Sequence, residues 1–334
     1  MSHSKPAVLV TGCAGYIGSH AVLALQDAGW QPIGLDNLSN GSREAVPAGV
    51  PFHVADAGDT AEVQAILERH RVQAVLHFAG STSVPESMEK PLLYYHNNTT
   101  VSRCLIEACA AAGVAHFVFS STAAVYGEPG IVQVDESVPP NPISPYGQSK
   151  LMVERILADS AGPAGMTYAA LRYFNVAGAD PQGRTGQRNP RACHLIKVAC
   201  EAVLGLRDGL DIFGTDYDTR DGTGVRDFIH VTDLVDAHVL ALDYLFAGGA
   251  STVMNCGYGR GYTVREVADA IARVAGRPLT VREKPRRAGD IGALIAESSR
   301  LKQTLAWQPR HDDLDTVLRH TLAWERRLTL QAAS

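Results

Sequence analysis

Tyr146 and Lys150 stand four residues apart in PYGQSK. On a helix that spacing puts both side chains on one face, with Cβ atoms about 5–6 Å apart. A lysine ammonium beside a phenol stabilises the tyrosinate and lowers the phenol pKa from its usual value of about 10. The phenolate is then a base near neutral pH. An ordinary amphipathic surface pair carries the same spacing, so the pair needs support. Ser120-Ser121-Thr122 supplies it. These residues close a strand-like run, and in a parallel sheet that end presents hydroxyls beside the helix of Tyr146. A Thr122 hydroxyl sharing a proton with Tyr146 and a substrate completes an acid–base set.

A second constellation lies at the other end of the same half. Residues 8–11 run into Gly12-Cys13-Ala14-Gly15-Tyr16-Ile17-Gly18, with glycines spaced GxxGxxG. Glycine lets the backbone turn tightly and approach a pyrophosphate, to which a helix N-terminus offers free N–H groups. A plain turn also uses glycines, but here the motif follows a strand and opens a helix. Asp36 ends the next strand and is placed to accept from ribose hydroxyls, with no Arg beside it for a 2′-phosphate. That favours NAD over NADP. Residues 76–80 (LHFAG) end another strand in small side chains, against which a cofactor can lie; an ordinary strand terminus reads the same way.

The elements that must position these groups follow from periodicity. Strands are expected at 7–11, 31–36, 51–55, 74–78, 116–121 and 167–174, and helices at 15–28, 61–70, 94–112 and 146–160. Strands alternating with helices imply a parallel sheet covered on both faces, with right-handed crossovers. After Phe174 the pattern loosens. Residues 175–191 read as an extended loop rich in Gly, Pro, Asp, Asn and Gln. Helices are expected at 192–206, 233–246, 263–275 and 314–327, and short strands at 210–213, 252–256 and 279–283. Thr263 and Glu266 have capping-box spacing. The expected fold class is α/β: a Rossmann-type doubly wound parallel sheet with a smaller mixed α/β C-terminal substrate lobe. Residues 1–175 form the dinucleotide-binding domain with the Tyr/Lys helix. Residues 176–334 form mainly the substrate lobe, with some segments returning to the first sheet, and the cleft between them is the natural site.

Composition narrows the partners. The chain has 334 residues, 46% hydrophobic and 19% charged, with a formal net charge of -5. That is ordinary globular composition, and it argues against broad nucleic-acid binding, which needs a positive field. Arg282, Lys284, Arg286 and Arg287 form one local cationic run, either a solvated loop or a seat for a small anion. Cys13, Cys104, Cys109, Cys193, Cys200 and Cys256 show no CxxC and no zinc-ligand spacing. They read as reduced, mostly buried thiols of a reducing compartment, and no metal is expected. The N-terminal apolar run is too short for a signal peptide, and no stretch approaches the roughly 20 apolar residues of a membrane span. The expected location is cytoplasmic.

The residues also carry a resemblance. VLVTGCAGYIGSH, LDNLSNG, HFAG, PESMEKPLLYYHNNT, FSSTAAVYG, SPYGQSK, LRYFNVAGAD, IFGTDYDTRDGTGVRDFIHVTDL, NCGYGRGYTVREV and PRRAGD occur in order along nearly the whole chain. On these stretches the chain resembles the extended short-chain dehydrogenase/reductase superfamily and, within it, the UDP-glucose 4-epimerase family. The resemblance implies NAD-dependent inversion at C4 of a UDP-hexose through a transient 4-keto sugar. It assigns NAD contacts to Gly12, Gly15, Tyr16, Ile17, Gly18, Asp36 and Asn37, and to Asp56, Ala57, Phe78, Ala79 and Gly80. Asn97, Ser120, Tyr146, Lys150 and Phe174 complete that set. Thr122 and Tyr146 become the proton-handling pair. Asn175, Leu195, Phe213, Arg226, Arg287, Asp290 and Leu294 become UDP-sugar contacts. Arg226 and Arg287 suit a diphosphate as charge-assisted donors. Phe213 suits uracil and Asp290 the uridine ribose. Read singly, Phe213 could be core and Arg226 could pair with Asp227. Relatives commonly form homodimers, which points to the 94–112 and 146–160 segments.

Departures from the family pattern matter too. Dehydratases of the superfamily carry Thr-Asp-Glu where this chain has Thr122-Ala123-Ala124, so the extra acids that eliminate water are missing. Cys13 replaces a common Gly and fills space. Thr82 stands where a Lys often contacts the nicotinamide ribose, which weakens one cofactor contact. Leu294 replaces a bulky Tyr of some members and would admit an N-acetyl group. The alternatives are a 4-epimerase of another UDP-sugar, namely UDP-N-acetylglucosamine or a UDP-pentose, a net dehydrogenase, and a non-catalytic NAD-binding sensor.

Overall fold

In the run AVLVT, alternate side chains leave opposite faces of an extended chain. In the computed structural model Val8 and Val10 enter one core and Leu9 another, all fully buried. Such a strand must have a layer on each side. The structure describes residues 5–332. The outermost ends of the 1–175 and 176–334 segments, and the first residues of the N-terminal stretch, lie outside the described residues.

Among the described residues the strands are, in chain order, β1 (Ala7–Thr11), β2 (Gln31–Asp36), β3 (Phe52–Val54), β4 (Ala74–His77), β5 (His116–Thr122), β6 (Gln133–Val134), β7 (Thr167–Tyr173), β8 (Asn175–Ala177), β9 (Leu210–Phe213), β10 (Val225–His230), β11 (Thr252–Cys256), β12 (Gly261–Thr263), β13 (Val281–Lys284) and β14 (Ala293–Ala296). The helices are α1 (Tyr16–Asp27), α2 (Thr60–His70), α3 (Val84–Glu89), α4 (Pro91–Tyr94), α5 (Val101–Ala111), α6 (Pro145–Ser160), α7 (Leu195–Val203), α8 (Val231–Phe246), α9 (Val264–Ala275), α10 (Ser299–Leu305) and α11 (Leu314–Ala332).

Seven strands form one parallel sheet in the order β11-β7-β5-β4-β1-β2-β3. The order reverses between β1 and β4, which is the switch point where a doubly wound Rossmann-type sheet opens a crevice at its strand C-termini. Helices α1 and α8 pack on one face, and α2, α5 and α6 on the other. A smaller sheet runs β12-β10-β14-β6, with β8 also paired to β10, and β9 pairs with β13. A third core joins α7, α9 and α11. Each half therefore lends a strand to the other: β11 returns to the large sheet, and β6 crosses to the small one.

Several local readings shift. The helix expected at 94–112 is α4 and α5 joined through a π-helical turn at Tyr95–Thr100. The helix expected at 192–206 is shorter, spanning Leu195–Val203. Strands β6, β8, β10, β12 and β14 were not expected: β8 opens the segment read as a loop at 175–191, and Arg226 and Asp227 break the apolar run of β10. The capping box at α9 forms: Thr263 Oγ1 accepts from Glu266 N at 3.0 Å, and Thr263 N donates to the Glu266 carboxylate at 2.8 Å.

Candidate active site

Ser144 caps α6, its hydroxyl accepting from Gly147 N at 3.2 Å, and Pro145 follows at the first helical position. This start sets the helix phase, so Tyr146 and Lys150 both point inward and are buried. Lys150 Nζ donates to the Ser120 carbonyl at 3.1 Å and lies 5.0 Å from the Phe119 ring centroid. Thr122 Oγ1 accepts from Ala124 N at 3.1 Å, which leaves its own proton to donate toward Tyr146, its hydrogen-bond partner. The other two hydroxyls of the Ser-Ser-Thr run are engaged elsewhere. Ser120 Oγ donates to Tyr173 Oη at 2.7 Å, and Ser121 Oγ donates to Glu154 at 2.5 Å. Only Thr122 serves Tyr146.

Burial dominates the electrostatics of the pair. Burial raises the Tyr146 pKa, and the Thr122 hydrogen bond opposes this. Burial pushes the Lys150 ammonium down to about 8. Both groups are removed from water, and the ammonium is directed at the Ser120 carbonyl.

The crevice beside this pair fits a dinucleotide. Gly12 has φ +70°, and a Cβ there would sit 2.7 Å from Ala79 N. The fingerprint loop therefore packs directly against the strand end that carries Phe78, Ala79 and Gly80. A Cβ on Gly18 would fall 2.1 Å from the Gly12 carbonyl oxygen, so that glycine seats α1 on its loop. Gly15 is the N-cap of α1, with no side chain accepting from the first turn. Asp36 accepts from Ala14 N at 2.9 Å and Leu38 N at 2.8 Å, which holds its carboxylate at the crevice edge with lone pairs to spare. Burial raises its pKa, and the two backbone N–H groups oppose that. Tyr16 Oη donates to the Gly178 carbonyl at 2.6 Å, and Ile17 packs on the first core. Asn37 Nδ2 reaches Asp56 Oδ2 at 3.5 Å, and Ala57 is buried beside it. Cys13 is fully buried, its Sγ filling the space where a Cβ on Gly34 would lie.

The sequence reading named Asn97 and missed its neighbour. Asn97 Nδ2 donates to Ser81 Oγ at 3.0 Å. Asn98 accepts from Ser81 N at 2.7 Å and donates to Ser81 O and Ser149 Oγ at 3.1 and 3.0 Å. Asn98 thus ties the 80–81 loop to the helix of Tyr146 and Lys150. The polar run His96-Asn97-Asn98-Thr99-Thr100 between two apolar stretches was the available signal.

The expected substrate residues gather on the other lobe. Arg226 Nη1 donates to Val225 O at 2.9 Å and to Gly292 O at 3.3 Å, and its Nη2 to Ile291 O at 2.8 Å. It does not pair with Asp227, which points the other way along β10. Asp227 accepts from Tyr258 N, Gly259 N and Ala296 N at 3.1, 2.9 and 3.2 Å. Arg287 binds Asp290 at 2.8 Å and lies 4.5 Å from the Phe213 ring centroid. Phe213 is therefore half-buried under a guanidinium and is not core. Asn175 is exposed at the start of β8, and Leu195 opens α7. Leu294 is 4% exposed, in a small cluster with Phe174, Tyr126 and Ala123. In the cationic run, Arg282 pairs with Asp211 and Arg286 with Asp216 at 2.7 and 2.8 Å, so most of its charge is matched. No cluster of three or more metal-ligating side chains occurs among the described residues. No helix among them is long and apolar enough to cross a membrane.

Comparison with known proteins agrees with this geometry. The NAD dependent epimerase/dehydratase family matches residues 8–257. A UDP-glucose 4-epimerase of Azospirillum brasilense is 55% identical over 325 residues, which is 97% of this chain and 93% of that protein. The crystal structure of UDP-glucose 4-epimerase from Brucella ovis in complex with NAD superposes with a TM-score of 0.92 at 42% identity, covering 95% of this chain and 98% of that one. The UDP-Glc/GlcNAc 4-epimerase of Campylobacter jejuni superposes with a TM-score of 0.83 at 46% identity, covering 96% and 99%. The chain belongs to the NAD dependent epimerase/dehydratase family.

Proposed function

We propose that this chain is an NAD-dependent UDP-hexose 4-epimerase that interconverts UDP-galactose and UDP-glucose. The observation that carries the reading is the buried phenol of Tyr146, hydrogen-bonded to Thr122 and one helical turn from Lys150. It stands beside a dinucleotide crevice in a chain 55% identical to a UDP-glucose 4-epimerase. Bound NAD supplies the acceptor, and then the donor, of the hydride at C4. Tyr146 takes the proton of the 4-hydroxyl and returns it after the 4-keto sugar has turned over. Thr122 shares that proton, and Lys150 offsets the phenolate charge. Neither Ala123 nor Ala124 offers a carboxyl for elimination, and epimerisation needs none.

Arg226, Arg287, Phe213, Asp290, Asn175 and Leu195 hold the UDP half in this reading, so the sugar is free to rotate while the nucleotide stays anchored. Leu294 bears on tolerance at C2. A homodimer through the 94–112 and 146–160 segments, a cytoplasmic location and a role in galactose metabolism belong to the same proposal. Among these, the dimer is tested by the mass of the purified chain in solution. The activity is tested by incubating the purified protein with UDP-galactose without added NAD. UDP-glucose is expected. Its absence, even after loading with NAD, overturns the reading.

A further inference from the structure

Residues 185–191, an open loop by composition, are fastened down on both flanks. Ser19 Oγ meets Thr185 Oγ1 at 3.0 Å, and Arg191 Nη2 donates to Asn40 Oδ1 at 3.1 Å. Between these points the chain lies on one indole. Trp324 Nε1 donates to the Gln187 carbonyl at 3.1 Å. Gly186 lies against the ring face, where a Cβ would come within 2.5 Å of it. The Arg188 guanidinium sits 5.2 Å from the same ring centroid. A segment held this way is ordered, whatever its composition.

What it encloses is a cavity of about 140 Å³ against the start of α1. Gly15 and Tyr16 line one side, Asn40 and Ser42 another, and Arg188 a third. The first turn of α1, which lines the cavity through Tyr16, contains no acidic side chain and has no side-chain cap. Arg188 Nε is buried with no hydrogen-bond partner. Nη1 meets only the exposed carboxylate of Glu44, at 3.2 Å, and Nη2 has no protein partner among the described residues. A guanidinium with a buried, unsatisfied donor is an expensive arrangement unless an anion completes it.

We propose that Arg188 is the counter-cation for the diphosphate of the bound dinucleotide, and that residues 185–191 are the strap that retains the cofactor between turnovers. This rests on the NAD reading above. The diphosphate is the anionic part of the cofactor and belongs at a helix N-terminus preceded by the fingerprint glycines. Arg188 closes that seat from the opposite lobe, with Trp324 fixing its plane. Glu44 competes for the same guanidinium from the solvent side.

The test measures release of NAD from the purified holoenzyme at several salt concentrations. Arg188→Gln is expected to release NAD roughly tenfold faster or more, and Arg188→Lys to fall between it and the parent. Added salt should speed release from the parent and act less on Arg188→Gln, because the screened pair is gone. Glu44→Gln should slow release, since it frees the guanidinium; a loosened fold would not produce that sign. Release from Arg188→Gln at the parent's rate overturns the proposal, and so does equal acceleration by Arg188→Gln and Glu44→Gln. A parent protein that binds no NAD at all would instead sink the cofactor reading itself.

Discussion

Tyr146 offers the reaction a single oxygen, buried and hydrogen-bonded to Thr122. Tyr146→Phe deletes that oxygen and keeps the ring that packs edge-on against Tyr94. The rate is expected to fall by roughly 10²–10⁴-fold while the melting temperature barely changes, since a general base is lost but no core volume. Near-normal turnover in that variant would remove Tyr146 from the mechanism. The pair also sets a pH dependence. Lys150, held at about 8 by burial, is the first of the two to lose a proton as pH rises. The phenol is raised. Tyr146 acts as base only when the pair has shed one proton, and that proton can leave from either group. Activity should therefore climb with pH along a limb at or below about 8. Lys150→Met should move that limb upward, because the phenol alone must then ionise. A pH–rate profile of both proteins decides it, and an unmoved limb excludes the coupling.

At the scale of elements, the π-helical turn between α4 and α5 brings Asn97 and Asn98 to the crevice. A buried chain supports it. Ser102 Oγ donates to the Asn98 carbonyl. It therefore accepts from His77 Nε2 at 2.8 Å, and His77 Nδ1 accepts from Thr11 Oγ1 at 2.6 Å. The tautomer of His77 follows from that sequence of donors. Asn98→Ala would take the Asn98 partner from Ser81 N and Ser81 O, and one of two bonds from Ser149 Oγ. A loss of about 2–4 kcal/mol in unfolding free energy is expected, together with faster NAD release. Denaturant titration reads the first, and unchanged stability would mean that the turn is held by packing alone. These features also mark how far the sequence could be read. Short apolar runs such as AVLVT and HFVF, alternating with helical stretches, placed the parallel sheet, and the glycine spacing placed its crevice, because both signals are local. The strand around Arg226 and Asp227 was hidden because its charges are satisfied by backbone groups far along the chain, at Ile291, Tyr258 and Gly259. Asn98 and Arg188 were missed for the same reason: each earns its place through partners that no local period reveals.

At the scale of the whole molecule, buried imidazoles make the fold acid-sensitive. Burial pushes His20 down to about 4, His77 to about 3, His230 to about 2 and His238 to about 4. Each is neutral in the native protein, whereas in the unfolded chain each takes up a proton near its ordinary value of about 6.5. A depressed histidine therefore contributes stability that is present above about pH 6.5 and is lost as pH falls below it. At pH 5 each costs about 2 kcal/mol, and unfolding takes up about four protons at these sites. Asp36, Asp227, Asp236 and Glu325, whose carboxyl pKa values burial raises, act in the opposite sense, from the ordinary carboxyl value upward. His238 is the cleanest probe. Its Nδ1 bonds only the Leu234 carbonyl of its own helix, and its Nε2 is buried with no partner. His238→Leu should lower stability modestly at pH 7.5 and remove about one proton from the slope of unfolding free energy against pH. Denaturant unfolding of the parent and His238→Leu at intervals from pH 7.5 to 5 measures both slopes. Equal slopes for the two proteins would show that His238 protonates in the folded state, and that the core around α1 and α8 opens to admit the charge.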